Sequence, residues 1–251
     1  LAAAINVDFS HVMPDVAYSI NLTGTLNVLE AARKFDVKVV FASSSEVYGT
    51  LQSGVVHDPG ACFHCAGKDT DAIAEDHPLD GQSPYAASKI AADRMCKAWA
   101  DTYGMKVSIV RLFNTFGPWQ ADDGYGGVIA KFCRQVLSGD AMTIYGTGEQ
   151  RRDYLWVDDA VDAFVLALQR DLPGPVNFGT GTTVSIRDLS RFVGDCIGYP
   201  NRFTFEPARP GEVDCLRADS TLARSLGWEP KVDFHTGLGR YVAWAKGAKK
   251  E

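Results

Sequence analysis

The sequence predicts an α/β fold built on a doubly wound parallel sheet, followed by a smaller C-terminal α/β lobe. Two observations carry this expectation. Val37-Lys38-Val39-Val40-Phe41-Ala42-Ser43 and the run Val107 to Leu112 are short, apolar and rich in β-branched residues, the composition of strands buried on both faces. Segments of helical periodicity alternate with them, and parallel strands need crossovers of that kind.

The elements follow in order. Leu1 to Ile5 is short and lacks a basic flank, so it reads as the end of a strand and not as a signal peptide. Val16 to Lys34 reads as a helix and Val37 to Ser43 as a strand; Leu51 to Glu75 is a long loop. Ser83 is a good N-cap and Pro84 a good first helical residue, so a helix should start there and run to about Tyr103. Val107 to Leu112 is the second strand, Gly126 to Leu137 and Val157 to Leu168 are helices, and Val176 to Phe178 is a short strand. Beyond Val184 come a helix at Ile186 to Ile197, a strand at Phe203 to Glu206 and two terminal helices. The expected division is residues 1–113, joined by a strand at 176–179 that returns to them, and residues 114–251 as mainly a substrate lobe. No internal repeat or low-complexity run interrupts this order.

Composition narrows the function classes. With 251 residues, 46% hydrophobic and 22% charged, the chain can bury a sizeable core. A formal charge of -6 and a pI near 5.4 offer no basic footprint for nucleic acid or anionic lipid. No apolar run approaches membrane length. An anionic substrate must therefore be held by a few local arginines. Six cysteines (Cys62, Cys65, Cys96, Cys133, Cys196, Cys215) without a secretory signal point to a reducing cytoplasm. His57, Cys62, His64 and Cys65 crowd together, but the second ligand pair of a structural zinc site is missing and Cys62 and His64 stand too close, so no metal is expected. Their loop reads instead as a lid.

The chemistry concentrates in Ser43-Ser44-Ser45-Glu46-Val47-Tyr48-Gly49 and Ser83-Pro84-Tyr85-Ala86-Ala87-Ser88-Lys89. Tyr85 falls in a first helical turn and Lys89 one turn later on the same face. A phenol has a pKa of about 10, and a nearby ammonium, the helix start and a cationic ligand would all favour its phenolate, which makes Tyr85 a general base. A bare Y-x-x-x-K is weak, since an exposed amphipathic helix carries the same spacing. The hydroxyl-bearing strand end supplies the context, because open α/β sheets bind ligands at the carboxyl ends of their strands.

Asn21-Leu22-Thr23-Gly24-Thr25, Arg111-Leu112-Phe113-Asn114-Thr115-Phe116-Gly117-Pro118, Gln150-Arg151-Arg152-Asp153-Tyr154 and Arg209-Pro210-Gly211-Glu212 follow these motifs in order. Together they resemble the extended short-chain dehydrogenase/reductase family, the nucleotide-sugar epimerases, dehydratases and decarboxylases, from the first residue to about Lys246. The resemblance implies a Rossmann-like fold, NAD as cofactor and a nucleotide-diphosphate sugar as partner. It implies that Leu1, Ala2, Ala3, Asn21, Tyr85, Lys89 and Phe113 line the cofactor. Ser44, Ser45, Asn114, Arg152 and Arg209 would hold substrate, with Arg151 a competitor for the place of Arg152. Arginine suits diphosphate because its planar fork binds two oxygens at once.

No G-x-G-x-x-G loop stands anywhere in the chain. Family members carry that loop, the ribose-binding acid and three strands with their helices in a stretch of roughly 70 to 80 residues before the position matched by Leu1. The N-terminal half is therefore expected to be missing, and this chain alone to be inactive and prone to aggregate; a binding-only protein is the reading from a different class. The implied reaction oxidises C4 of the sugar: Tyr85 takes the hydroxyl proton, Ser44 bonds the same oxygen, and Lys89 orients the ribose and holds down the Tyr85 pKa. Glu46 then favours a 4,6-dehydratase, because a 4-keto sugar acidifies its C5 proton. The stretch His77-Pro78-Leu79-Asp80-Gly81-Gln82-Ser83 is similar to a subset of those dehydratases, whereas glucose-type members have Asp where Ser45 stands. A 4-epimerase and a UDP-glucuronate decarboxylase remain alternatives. By analogy the whole protein would form a homodimer through the Tyr85 helix and the Val16 to Lys34 helix.

Overall fold

The computed structural model describes residues 3–51, 72–121, 127–200 and 202–248. Its helices are α1 (Val7–Val12), α2 (Pro14–Tyr18), α3 (Gly24–Phe35), α4 (Pro84–Tyr103), α5 (Val128–Leu137), α6 (Val157–Gln169), α7 (Ile186–Ile197), α8 (Thr221–Ser225) and α9 (Phe234–Ala248). Its strands are β1 (Val39–Ser44), β2 (Val107–Leu112), β3 (Asn114–Phe116), β4 (Met142–Tyr145), β5 (Arg151–Arg152), β6 (Tyr154–Trp156), β7 (Pro175–Phe178), β8 (Val184–Ser185), β9 (Phe203–Glu206) and β10 (Cys215–Leu216).

β1, β2 and β7 form a parallel sheet with β2 in the centre, so the strand at 175–178 does return to the first two. Successive residues of β2 serve opposite faces. Ile109 packs with Leu29, Phe41, Ala92 and Cys96 under α3 and α4, while Val110 packs with Ala160, Ala163, Val176 and Phe178 under α6. Burial on both faces explains why these strands read as continuous apolar runs. A separate core of Phe116, Phe132, Leu189, Phe234 and Tyr241 joins α5, α7 and α9, with β4 and β9 pairing in parallel at its margin.

Most boundaries fall where the sequence places them, and the departures have local causes. The helix expected over Val16 to Lys34 is α2 and α3 joined by a π-helical turn at Ser19–Thr23. Asn21 sits in that turn, and its amide bonds both backbone groups of Ala4 (2.8 and 3.0 Å) and Ser88 Oγ (2.9 Å). Widened turns of this kind recur at functional sites. Ala3, expected to end a strand, lies in none; among the described residues β1 pairs only with β2. Helix α1 and strands β3 to β6, β8 and β10 are too short to show a period and escape the sequence reading. Leu1, Ala2 and the group His57, Cys62, His64 and Cys65, with most of the expected lid, lie outside the described residues.

Asp153 ties the β5–β6 junction to two distant loops. Fully buried, its carboxylate accepts from Thr180 N and Oγ1 (2.8 and 2.6 Å), Gly181 N (2.8 Å) and Ala218 N (3.1 Å). Burial pushes this carboxyl up while those donors pull it down. Asp153→Ala strands several buried donors and is expected to cost roughly 2–4 kcal/mol in a denaturant melt.

Candidate active site

α4 begins as its sequence dictates. Ser83 Oγ accepts from Ala86 N (3.1 Å) and Pro84 occupies the first turn. A second cap comes from far away: fully buried Ser10 in α1 accepts from Tyr85 N (3.0 Å). Nothing local in the sequence marks Ser10, since the contact depends on the fold. The 80–83 stretch is gripped by two glycines with left-handed backbones. A Cβ on Gly49 would sit 2.1 Å from Asp80 O, and one on Gly211 2.2 Å from Gln82 O. Only glycine tolerates both the φ and the approach. In this way the end of the Glu46 turn and the Arg209 loop are pressed against the start of α4.

One cavity of about 1280 Å³ gathers every expected site residue that is described. Ala3, Asn21, Ser44, Ser45, Glu46, Tyr85, Lys89, Phe113, Asn114, Arg152 and Arg209 all line it. Small residues at the β1 terminus, Ala42 to Ser45, leave the opening. Ser44 caps the 3₁₀ turn Ser45–Tyr48, accepting from Glu46 N (3.2 Å), and its hydroxyl bonds the Tyr85 phenol. Tyr85 and Lys89 are 7% and 5% exposed, which makes burial their dominant electrostatic influence. It pushes the Tyr85 phenol up to about 12, with the Ser44 hydrogen bond lowering it and the Glu46 carboxyl raising it further. Burial brings Lys89 down to about 8.

Lys89 is engaged at the end of β1. Its ammonium donates to Ala42 O (2.8 Å) and lies 5.1 Å from the Phe41 ring centre, and it does not figure among the influences on Tyr85.

Glu46 is pushed up by burial, pulled down by Arg152 and pushed up by Glu212. Geometry separates the two neighbouring arginines. Arg151 Nε donates to Thr183 Oγ1 (3.0 Å) away from the cavity, while Arg152 lines it. Arg209 stacks over the Tyr145 ring at 3.8 Å and pairs with Asp8 at 3.5 Å. Asn114 Nδ2 is buried without a partner, and so is Gln120 Oε1, a cavity residue that sequence reasoning missed. Asn21 lines the cavity, but its amide is engaged by Ala4 and Ser88, so it braces the wall. Among the described residues no cluster of His, Cys, Asp or Glu could hold a metal ion, Cys96, Cys133 and Cys196 are free thiols, and no helix is long and apolar enough to cross a membrane.

A family profile described as GDP-mannose 4,6 dehydratase matches residues 1–241. The chain is 36% identical to a UDP-glucose 4-epimerase of Mycolicibacterium smegmatis over 96% of its own length and 73% of the relative's. It is 33% identical to a dTDP-glucose 4,6-dehydratase of Actinoplanes, over 97% and 71%. Its fold superposes on the Thermus thermophilus UDP-glucose 4-epimerase crystallised with NAD at a TM-score of 0.87, with 33% identity over 98% of this chain and 76% of that one. The chain thus spans about three quarters of the length of these relatives. Shared sequence and shared architecture along nearly all of its residues agree that this chain belongs to the extended short-chain dehydrogenase/reductase family of nucleotide-sugar epimerases and dehydratases.

Proposed function

We propose that this chain carries the catalytic and substrate-binding part of an NAD-dependent nucleotide-sugar 4,6-dehydratase working through a 4-keto intermediate. The observation that supports it most is one cavity in which Ser44 bonds the Tyr85 phenol while the Glu46 carboxyl acts electrostatically on the same phenol. The residues fit the nicotinamide riboside half of NAD. Lys89 keeps two N–H donors beyond the one given to Ala42, the small β1 terminus leaves room, and the buried Phe113 closes the wall. In this reading residues 1–113 with the returning β7 form the cofactor side and 114–251 mainly the substrate side.

Tyr85 takes the proton of the sugar C4 hydroxyl, and Ser44 holds that oxygen. Bound NAD would accept the C4 hydride and later return it at C6, and its cationic ring would bring the phenol of Tyr85 back toward neutral pH. The ketone acidifies the C5 proton, and Glu46, its pKa raised by burial, is suited to remove it and pass it to the departing C6 hydroxyl, which leaves as water, while a proton from the site's exchangeable pool is returned to C5. The product is a 4-keto-6-deoxy sugar still joined to its nucleotide. The unpaired Asn114 amide, Arg152 and Arg209 would receive the diphosphate and its neighbours. Arg152→Ala is expected to raise KM about tenfold or more and Arg151→Ala to leave it unchanged, a difference that initial rates read directly.

A 4-epimerase is the second reading, favoured by the names of the M. smegmatis and T. thermophilus proteins; it has no use for Glu46. The test is to express the protein from its complete reading frame and follow UDP-, dTDP- and GDP-sugars by mass spectrometry. A product lighter by one water is expected. An isobaric product would mean the epimerase, loss of carbon dioxide from UDP-glucuronate the decarboxylase, and binding without turnover a binding protein. A reducing cytoplasm suits the free thiols of Cys96, Cys133 and Cys196. Val28 and Phe35 on α3 and Tyr103 on α4 stand exposed, which supports a second copy docking across these helices.

A further inference from the structure

A buried polar chain, outside the groups given roles above, ties the Glu46 turn to the Tyr85 helix. Arg111, in β2, is 1% exposed and Asp93, in α4, fully buried; the guanidinium binds the carboxylate with both prongs, at 2.9 and 3.0 Å. Asp93 also accepts from Ser43 Oγ at 2.7 Å. From its other side Arg111 donates to Tyr48 Oη (2.7 Å) and Glu75 O (3.2 Å). Burial keeps the Tyr48 phenol protonated, so it donates in turn to Asn177 Oδ1 (2.7 Å), whose amide nitrogen bonds Ile73 O (2.8 Å). Every bond here has a fixed direction.

Among the described residues no comparable anchor holds the Glu46 side chain; its place follows from the turn Ser45–Tyr48, capped by Ser44 at one end and fixed by Tyr48 at the other. Asp93 lies one helical turn beyond Lys89 and two beyond Tyr85. A single guanidinium therefore sets the spacing between the group acting at C4 and the group acting at C5. We propose that Tyr48, held by Arg111, is a positioning residue that aims Glu46 at the C5 proton and governs the elimination but not the oxidation. The inference rests on the dehydratase reading above.

Tyr48→Phe removes one oxygen and keeps the ring in contact with Arg111 (5.0 Å) and His77 (5.8 Å). In the complete protein with bound NAD, reduced nicotinamide is followed by absorbance after substrate is added, and water loss by mass. The variant is expected to oxidise C4 at the wild-type rate, to accumulate reduced nicotinamide, and to lose water about tenfold or more slowly with KM unchanged. A purely structural role would slow both stages alike, and that result overturns the proposal, as does unchanged water loss. Asn177→Ser withdraws the Tyr48 acceptor from the opposite side and carries the same expectation, so the idea stays refutable if Tyr48→Phe does not fold. A wild-type protein that never releases water defeats the dehydratase reading and this inference together; a wild type that does, with an indifferent Tyr48→Phe, defeats the inference alone.

Discussion

Tyr85→Phe is expected to lower turnover by about 10²–10⁴-fold, the range a positioned proton acceptor contributes. The ring fills the same buried place at the start of α4, capped by Ser83 and Ser10, so the fold and substrate binding should survive. Only the oxygen bonded to Ser44 is lost. The C4 hydroxyl then has no acceptor for its proton, and no hydride can leave. Single-turnover absorbance of reduced nicotinamide and substrate titration separate the two effects: the first should all but vanish and the second stay within about twofold. A variant that still reduces bound nicotinamide at the wild-type rate would remove Tyr85 from the chemistry.

Glu46→Gln should have a different signature, because it interrupts the second stage. Oxidation at C4 continues, reduced nicotinamide accumulates, and water loss falls by about 10²-fold or more. The pH dependence follows from burial, which raises the Glu46 pKa above 4.5. As a base Glu46 must be ionised, so the acid limb of water loss should lie above the ordinary carboxylate range. Stability runs the other way. Between 4.5 and the raised folded value the folded chain keeps a proton that the unfolded chain has lost, so this group weakens the fold progressively as pH rises through that window. Glu46→Gln should therefore melt higher than wild type at pH 7, with the gain fading below 4.5. Groups that give up stability for chemistry show this sign.

Much of this was legible in the sequence because local chemistry and global fold agree. Ser83-Pro84 announces the start of α4, observed at Pro84, and the apolar run Val107 to Leu112 is β2 from end to end. Ordered motifs place Ser44, Glu46, Tyr85, Asn114, Arg152 and Arg209 on one cavity although they are far apart in the chain. What the sequence could not convey depends on long-range contact. Ser10 capping α4, Asp153 collecting donors from two distant loops and Arg111 bridging Asp93 to Tyr48 have no periodicity or spacing that foretells them. The Lys89 bond to Ala42 O belongs with them. Motif spacing places its ammonium near Tyr85 but carries no information about Ala42 O, its acceptor at the end of β1.

The measurement that bears most directly on the account is the reaction of the complete protein with its nucleotide sugar in deuterium oxide. The product is expected to be lighter by one water and to carry solvent deuterium at C5, because Glu46 removes that proton and the site returns one from its own exchangeable pool. A product of unchanged mass without solvent deuterium would mean that the ketone is formed and reduced without touching C5, and would contradict the role given to Glu46.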